Sequence, residues 1–111
     1  MDRIAQYRQI IKQLLDEYAG YENPDSNIEM ETIFDTERDR YQLVALGWNK
    51  KKRVHGCVIH IDIKNDKIWL QHDATDAQIA EQLVEMGIPK ENIILAFYTE
   101  NRRRYTDFAV K

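Results

Sequence analysis

The stretch Arg53–Asp73 constrains this chain most, because apolar and polar residues alternate on both sides of Asn65-Asp66. Alternation sends successive side chains to opposite faces of a strand. Asn and Asp both tolerate the positive φ that a two-residue hairpin turn demands. The spacing therefore predicts a hairpin of Arg53–Lys64 with Lys67–Asp73. In that register Ile63 opposes Ile68 and Ile61 opposes Leu70, so Ile59, Ile61, Ile63, Ile68 and Leu70 make one apolar face. The other face carries Asp62 opposite Trp69 and His60 opposite Gln71. A hairpin this apolar on one side is not stable alone and must be covered.

The rest of the chain supplies both more sheet and a cover. Ile28–Asp35 alternates, with Ile28, Met30, Thr32 and Phe34 on one side, and Arg40–Trp48 follows after the four-residue turn Thr36–Asp39. That turn length sets Phe34 against Tyr41, Thr32 against Leu43 and Asp35 against Arg40, which brings the two apolar faces together. Residues 3–19 repeat apolar side chains at steps of three and four (Ile4, Tyr7, Ile11, Leu14, Tyr18, widened by Ile10 and Leu15), the signature of an amphipathic helix. Asp2 is placed to cap its start, and Gly20 with Asn23-Pro24 to end it.

Thr75-Asp76-Ala77-Gln78 reads as a capping box before a second helix with Ile79, Leu83 and Met86 as its buried stripe, closed by Gly87 and Pro89. Ile93–Tyr98 reads as a short buried strand or packed extended segment, Arg102–Arg104 as a loop, and Tyr105–Val110 as a last edge strand. The expected fold is α+β: an antiparallel meander of about four strands plus a short C-terminal strand, with the N-terminal and second helices packed on the sheet.

Composition bounds the function. The 111 residues suit one domain over 1–111, and 43% hydrophobic content is too much for a disordered chain. A single Cys excludes a disulfide framework and a multi-Cys metal cage. The apolar runs Leu43–Leu46 and Ile93–Phe97 are far too short for a membrane span. The opening Met-Asp-Arg-Ile-Ala-Gln has no apolar signal core, so a cytoplasmic location is expected. The net charge of −3 is unevenly spread: residues 1–39 hold four basic and ten acidic groups, 40–71 seven and two, and 72–111 five and seven. The basic clusters Lys50, Lys51, Lys52, Arg53 and Arg102, Arg103, Arg104 are ordinarily solvated loops; the alternative is a nucleic-acid surface.

Alternation sets His55 and Cys57 on the apolar side of Arg53–Lys64, with His72 on the matching side of the next strand. No ligand spacing known for metals is present, and Cys57 is more simply a small buried residue, so no metal and no cofactor are expected. His60 and Asp62 share the polar side and form the best acid–base pair, yet no nucleophile, oxyanion turn or second carboxylate accompanies them. No glycine-rich phosphate loop or dinucleotide fingerprint is present. No catalytic residue is assigned. The polar face with His60, Asp62, Trp69 and Gln71 reads instead as a protein-binding surface, since Trp beside polar groups is typical of interface hot spots. The broad apolar stripe of the first helix and this second face together suggest a homo-oligomer.

One set of stretches runs through the chain: Tyr7-Arg8-Gln9-Ile10-Ile11, Phe34–Asp39 with Tyr41-Gln42-Leu43, and Gly47-Trp48. It continues with Gly56–Lys64, Lys67-Ile68-Trp69, Gly87–Ile93 and Tyr105–Val110. In these stretches the chain resembles the XisI family of cyanobacterial fdxN element excision controlling factors. These motifs span nearly the whole chain in the family's order. The departures, at Asn65-Asp66 and before Tyr105, fall in loops. The resemblance implies an accessory role in programmed DNA-element excision during heterocyst differentiation, beside a site-specific recombinase and a XisH-like partner. XisH-like proteins resemble endonuclease-fold domains. The resemblance implies no DNA cleavage by this chain, and it supplies no catalytic set to carry over.

Overall fold

In the computed structural model, residues 2–21 and 26–111 are described. The periodic stripe forms helix α1 (Arg3–Ala19), with the Asp2 carboxylate accepting from the Ile4 amide and Gly20 at the other end. The expected stop at Asn23-Pro24 lies outside the described residues. Strands β1 (Ile28–Asp35), β2 (Arg40–Asn49), β3 (Lys52–Lys64) and β4 (Lys67–Asp73) follow as a meander. Phe34, Thr32 and Asp35 face Tyr41, Leu43 and Arg40, as the four-residue turn requires. Lys50 and Lys51 alone make the β2–β3 turn, so the basic loop is shorter than 49–52 and Lys52 already pairs with Asn49. Asn65 and Asp66 both take positive φ, 52° and 63°, and Ile63 faces Ile68 across their turn.

Helix α2 (Ile79–Glu85) crosses back and β5 (Ile93–Leu95) joins β4 in parallel, giving the sheet order β1-β2-β3-β4-β5. Four antiparallel strands, one short added strand and helices on the sheet are the α+β architecture expected. Three local expectations are corrected. Thr75–Gln78 makes no capping box: Gln78 is left-handed, and the Ile79 amide donates to Asp73 Oδ2 at 3.2 Å. Asp73 Oδ1 also accepts from the Thr75 amide and hydroxyl, so a strand-end carboxylate six residues upstream caps the helix. Arg102 and Arg103 lie in a helical turn, α3 (Glu100–Arg103), whose cap is the Thr99 hydroxyl. Tyr105–Val110 forms no strand, only a single parallel bridge from Ala109 to Ile94.

The core lies between the helices and one sheet face. Tyr7, Ile11, Leu14 and Leu15 of α1 and Ile79, Ala80 and Leu83 of α2 bury against Tyr41, Leu43, Ile59, Ile61, Ile63, Ile68 and Leu70. Met86 is only partly buried at its edge. The span from Tyr7 to Leu70 is thus tied by burial rather than by local bonds. Gly47 is required by close approach: its φ is +149°, and a Cβ there would lie 2.0 Å from the Asn27 carbonyl oxygen. Among the described residues no helix is long and apolar enough to cross a membrane.

Candidate partner-binding face

Two β-bulges decide what the reverse face of the sheet displays. Leu43 faces Ile59 but Val44 faces Cys57, so Val58 is an extra residue in β3. An inserted residue flips the alternation beyond it. His55 and Cys57 consequently share the side of His60 and Asp62, not the apolar side expected from strict alternation. A second shift lies between His60 and Ile61: Ile61 faces Leu70 and Asp62 faces Trp69 as predicted, but His60 faces His72. Gln71 is the extra residue there, and His72 is thereby moved off the core face to an exposed position. His55 is also exposed and Cys57 half-buried, its thiol pushed up by burial. Among the described residues, no three His, Cys, Asp or Glu side chains converge as a metal site needs.

The structure brings His60, Asp62, Trp69 and Gln71 together. Asp62 is only 4% exposed, the one buried charged residue in the described chain. A carboxylate this buried needs compensating donors. His60 Nε2 lies 2.8 Å from Asp62 Oδ1, and Gln71 Nε2 donates to Oδ2 at 3.2 Å. Arg40, directly opposite Asp62 in β2, brings Nε to 3.8 Å from Oδ2. Arg40 is the member of this cluster that the sequence reading missed. Its signal was present, since the predicted Asp35–Arg40 pairing puts Arg40 on the polar side of the sheet. Gln71 reaches Asp62 despite its bulge, because the amide side chain is long enough to absorb the displacement.

Trp69 is half-buried rather than open. Lys64 Nζ lies 4.8 Å from its ring centre and the Arg103 guanidinium 5.5 Å, one cation from β3 and one from α3. Its indole N–H is buried with no hydrogen-bond partner among the described residues. Arg103 is held by backbone oxygens: Nε donates to Tyr98 and Leu95, at 3.0 and 3.3 Å, and Nη1 to Val110 at 3.2 Å. Of the second basic cluster, Arg102 and Arg104 are exposed, and Arg102 lies over the Tyr98 ring at 4.4 Å. Lys50, Lys51, Lys52 and Arg53 are all exposed at the β2–β3 tip, with Arg53 over the Trp48 ring at 5.5 Å. β5 pairs beside Ile68–Leu70, which in turn face Ile61–Ile63, at the end of β3 remote from that tip.

Comparison with known proteins follows this geometry closely. A XisI-like protein from Anabaena variabilis superposes at a TM-score of 0.90 with 44% identity, covering 96% of this chain and 98% of that one. The fdxN element excision controlling factor XisI from the same organism superposes at 0.84 with 32% identity, covering 99% of this chain and 100% of that one. No curated protein matches the sequence. Residues 1–110 match the family described as XisI protein, and the two superpositions extend that match to the whole fold, so this chain belongs to the XisI family.

Proposed function

We propose that the protein is a non-enzymatic accessory factor that controls excision of a DNA element, acting in the cytoplasm through a XisH-like protein and the site-specific recombinase complex around it. The observation that carries this reading is the end-to-end relation, at 32% identity, to a protein named as an fdxN element excision controlling factor. The proposed docking surface is His60, Asp62, Trp69 and Gln71, to which Arg40 is added. Its make-up supports a recognition role: an aromatic ring flanked by cations beside a desolvated carboxylate is the composition of an interface centre. It also favours binding over catalysis, because His60, Gln71 and Arg40 already engage both oxygens of Asp62 on a sheet face.

The test is co-expression with a XisH-like protein, followed by light scattering of the purified material. A complex of defined mass is expected. Trp69→Ala should weaken it at least tenfold, a loss of about 1.4 kcal/mol or more, while circular dichroism reports an intact fold. Two separately eluting proteins would sink the reading.

A second reading is favoured by one observation, the exposed Trp48–Arg53 stack beside Lys50, Lys51 and Lys52. Aromatic rings among cations hold single-stranded nucleic acid by stacking and charge. Arg102 and Arg104 would add to such a surface, whereas Arg103 is engaged by carbonyl oxygens. Charge reversal of Lys50, Lys51 and Lys52 should then abolish retention of a DNA probe; unchanged retention would exclude this use of the tip.

A further inference from the structure

The cations around Trp69 are not balanced by carboxylates. Lys64 Nζ lies 4.8 Å and the Arg103 guanidinium 5.5 Å from the centre of its ring. Neither forms an ion pair with a carboxylate among the described residues. Arg103 meets carbonyl oxygens through Nε and Nη1, and its Nη2 donates to nothing among the described residues. Lys64 is exposed, with the indole ring as the neighbour of its ammonium group.

The strand register gathers further positive charge on the same side. Asp62 faces Arg40 across β2 and Trp69 across β4, so Arg40, Asp62 and Trp69 form one row. Lys64 stands two residues beyond Asp62 and therefore on the same face. Arg40 is only partly buried, and its Nη1 is held by the carbonyl oxygens of Arg38 and Asp39. Against Arg40, Lys64 and Arg103 the row offers Asp62, which is buried and already engaged by His60 and Gln71. Asp35, which continues the row into β1, is taken by the amide and guanidinium of Arg38. Positive charge that the fold leaves unneutralised on one surface attracts and orients a partner of opposite charge.

We infer that this face takes an acidic segment of a partner protein, with one carboxylate on Arg40 and another between Lys64 and Arg103, an inference that rests on the Asp62–Trp69 face being the partner-binding surface. Arg40 and Trp69 are two strand spacings apart, about 10 Å, so one carboxylate cannot serve both ends and the segment must carry at least two. Lys64 Nζ and Arg103 Nη2 can each donate to a carboxylate oxygen, and such charge-assisted bonds are the strong ones. The half-buried Trp69 ring beneath them keeps water from the contact. A nucleic-acid strand fits this face less well. The cations lie over the ring where a base would have to stack, and Asp62 places negative charge at the centre of the row.

The test is the complex with a XisH-like protein, its association rate and affinity followed by surface plasmon resonance. Association should slow about tenfold or more from about 0.01 M salt, where charges act over about 30 Å, to about 1 M, where they act over about 3 Å. Lys64→Glu, at an exposed position, should weaken the complex about tenfold or more at low salt while circular dichroism stays unchanged. Lys12→Glu makes the same change of charge on α1, on the opposite side of the sheet, and should leave the affinity as it is. A complex that forms but is indifferent to salt or to Lys64→Glu overturns the inference alone and leaves the accessory reading standing. Loss of DNA-duplex retention in Lys64→Glu, with the protein complex unaffected, also overturns it and assigns the cations to phosphate. Two proteins that fail to associate at any salt concentration remove the accessory reading and the inference together.

Discussion

Asp39 shows how one carboxylate can join three elements. Arg8 of α1 donates to it twice, from Nε at 2.8 Å and Nη2 at 3.1 Å, and the Tyr41 hydroxyl donates at 2.8 Å. Its carbonyl oxygen accepts from the Ile63 amide at 3.0 Å, and its φ of 55° is one that Asp tolerates. The Arg8 bond, helped by Tyr41 and opposed by burial, holds the Asp39 carboxyl below its ordinary value. Burial and the bond to Asp39 push the Tyr41 phenol up to about 12. Asp39 thus contributes stability above about pH 4, where an unfolded aspartate is ionised, and loses it as pH falls through its lower native value. Tyr41 contributes below pH 10.0 and loses its share as pH rises from there to about 12. Asp39→Asn keeps the backbone conformation but should lower unfolding stability by about 1–3 kcal/mol. It should also flatten the acid limb of a urea-unfolding series from pH 7 to pH 3. An acid limb as steep as the wild type's would show that Asp39 does not carry it. Arg8, Asp39 and Tyr41 were all visible as residues, but no local pattern joins positions 31 apart.

At the scale of elements, the hairpins were legible because their turns are chemically explicit. Asn65-Asp66 occupies two left-handed positions, and the length of Thr36–Asp39 set the β1–β2 register residue by residue. Asp66→Gly should raise stability by up to about 1 kcal/mol, since glycine takes the second left-handed position without steric penalty. A thermal midpoint that rises by a few degrees would confirm it, and a fall would mean that the Asp66 side chain contributes more than its backbone strain removes. The bulges at Val58 and Gln71 were not legible. A bulge leaves the amino-acid order unchanged while moving His55, Cys57 and His72 to the opposite face. It forms where twist and packing favour one extra residue, and alternation alone carries no trace of that. The α2 cap was misread for a similar reason: Thr75 does accept from Ala77, but the group that reaches Ile79 is the Asp73 carboxylate.

The whole molecule is closed at its C-terminal end by Arg103. Ala96 and Ala109 tie the backbone to Leu70 and Ile93, and Arg103 gathers the carbonyl oxygens of Leu95, Tyr98 and Val110 over Trp69. Arg103→Ala should leave these oxygens without their charged donor and destabilise the segment by about 2 kcal/mol. Hydrogen exchange should then quicken over residues 96–111 while β1–β3 stay protected. In a Trp48→Phe background, Trp69 emission should shift to the red as water reaches the ring. Unchanged exchange and emission would mean that the apolar contacts of Phe108 and Ile94 hold the end without it. The same closure explains why Trp69 is half-buried, although the hairpin pattern put it on the polar face. Beside Lys64 of the neighbouring strand, its cover comes from Arg103, far later in the chain.

The sequence by itself determined the elements and their nearest pairings. Helix α1 began and ended where its stripe does, the meander paired at its turns, and the grouping of Asp62 with Trp69 followed from a two-residue turn. Each of these depends on φ preference, side-chain periodicity or a cap, and these act over a few residues. Only the tertiary structure decided the two bulges, the parallel addition of β5, the Asp73 cap, the Arg8–Asp39 tie and the strap over Trp69. Each of these depends on groups brought together by burial of the common core, where separation along the chain ceases to measure distance. The proposed docking face is therefore written in the hairpins, while its final lining is set by packing.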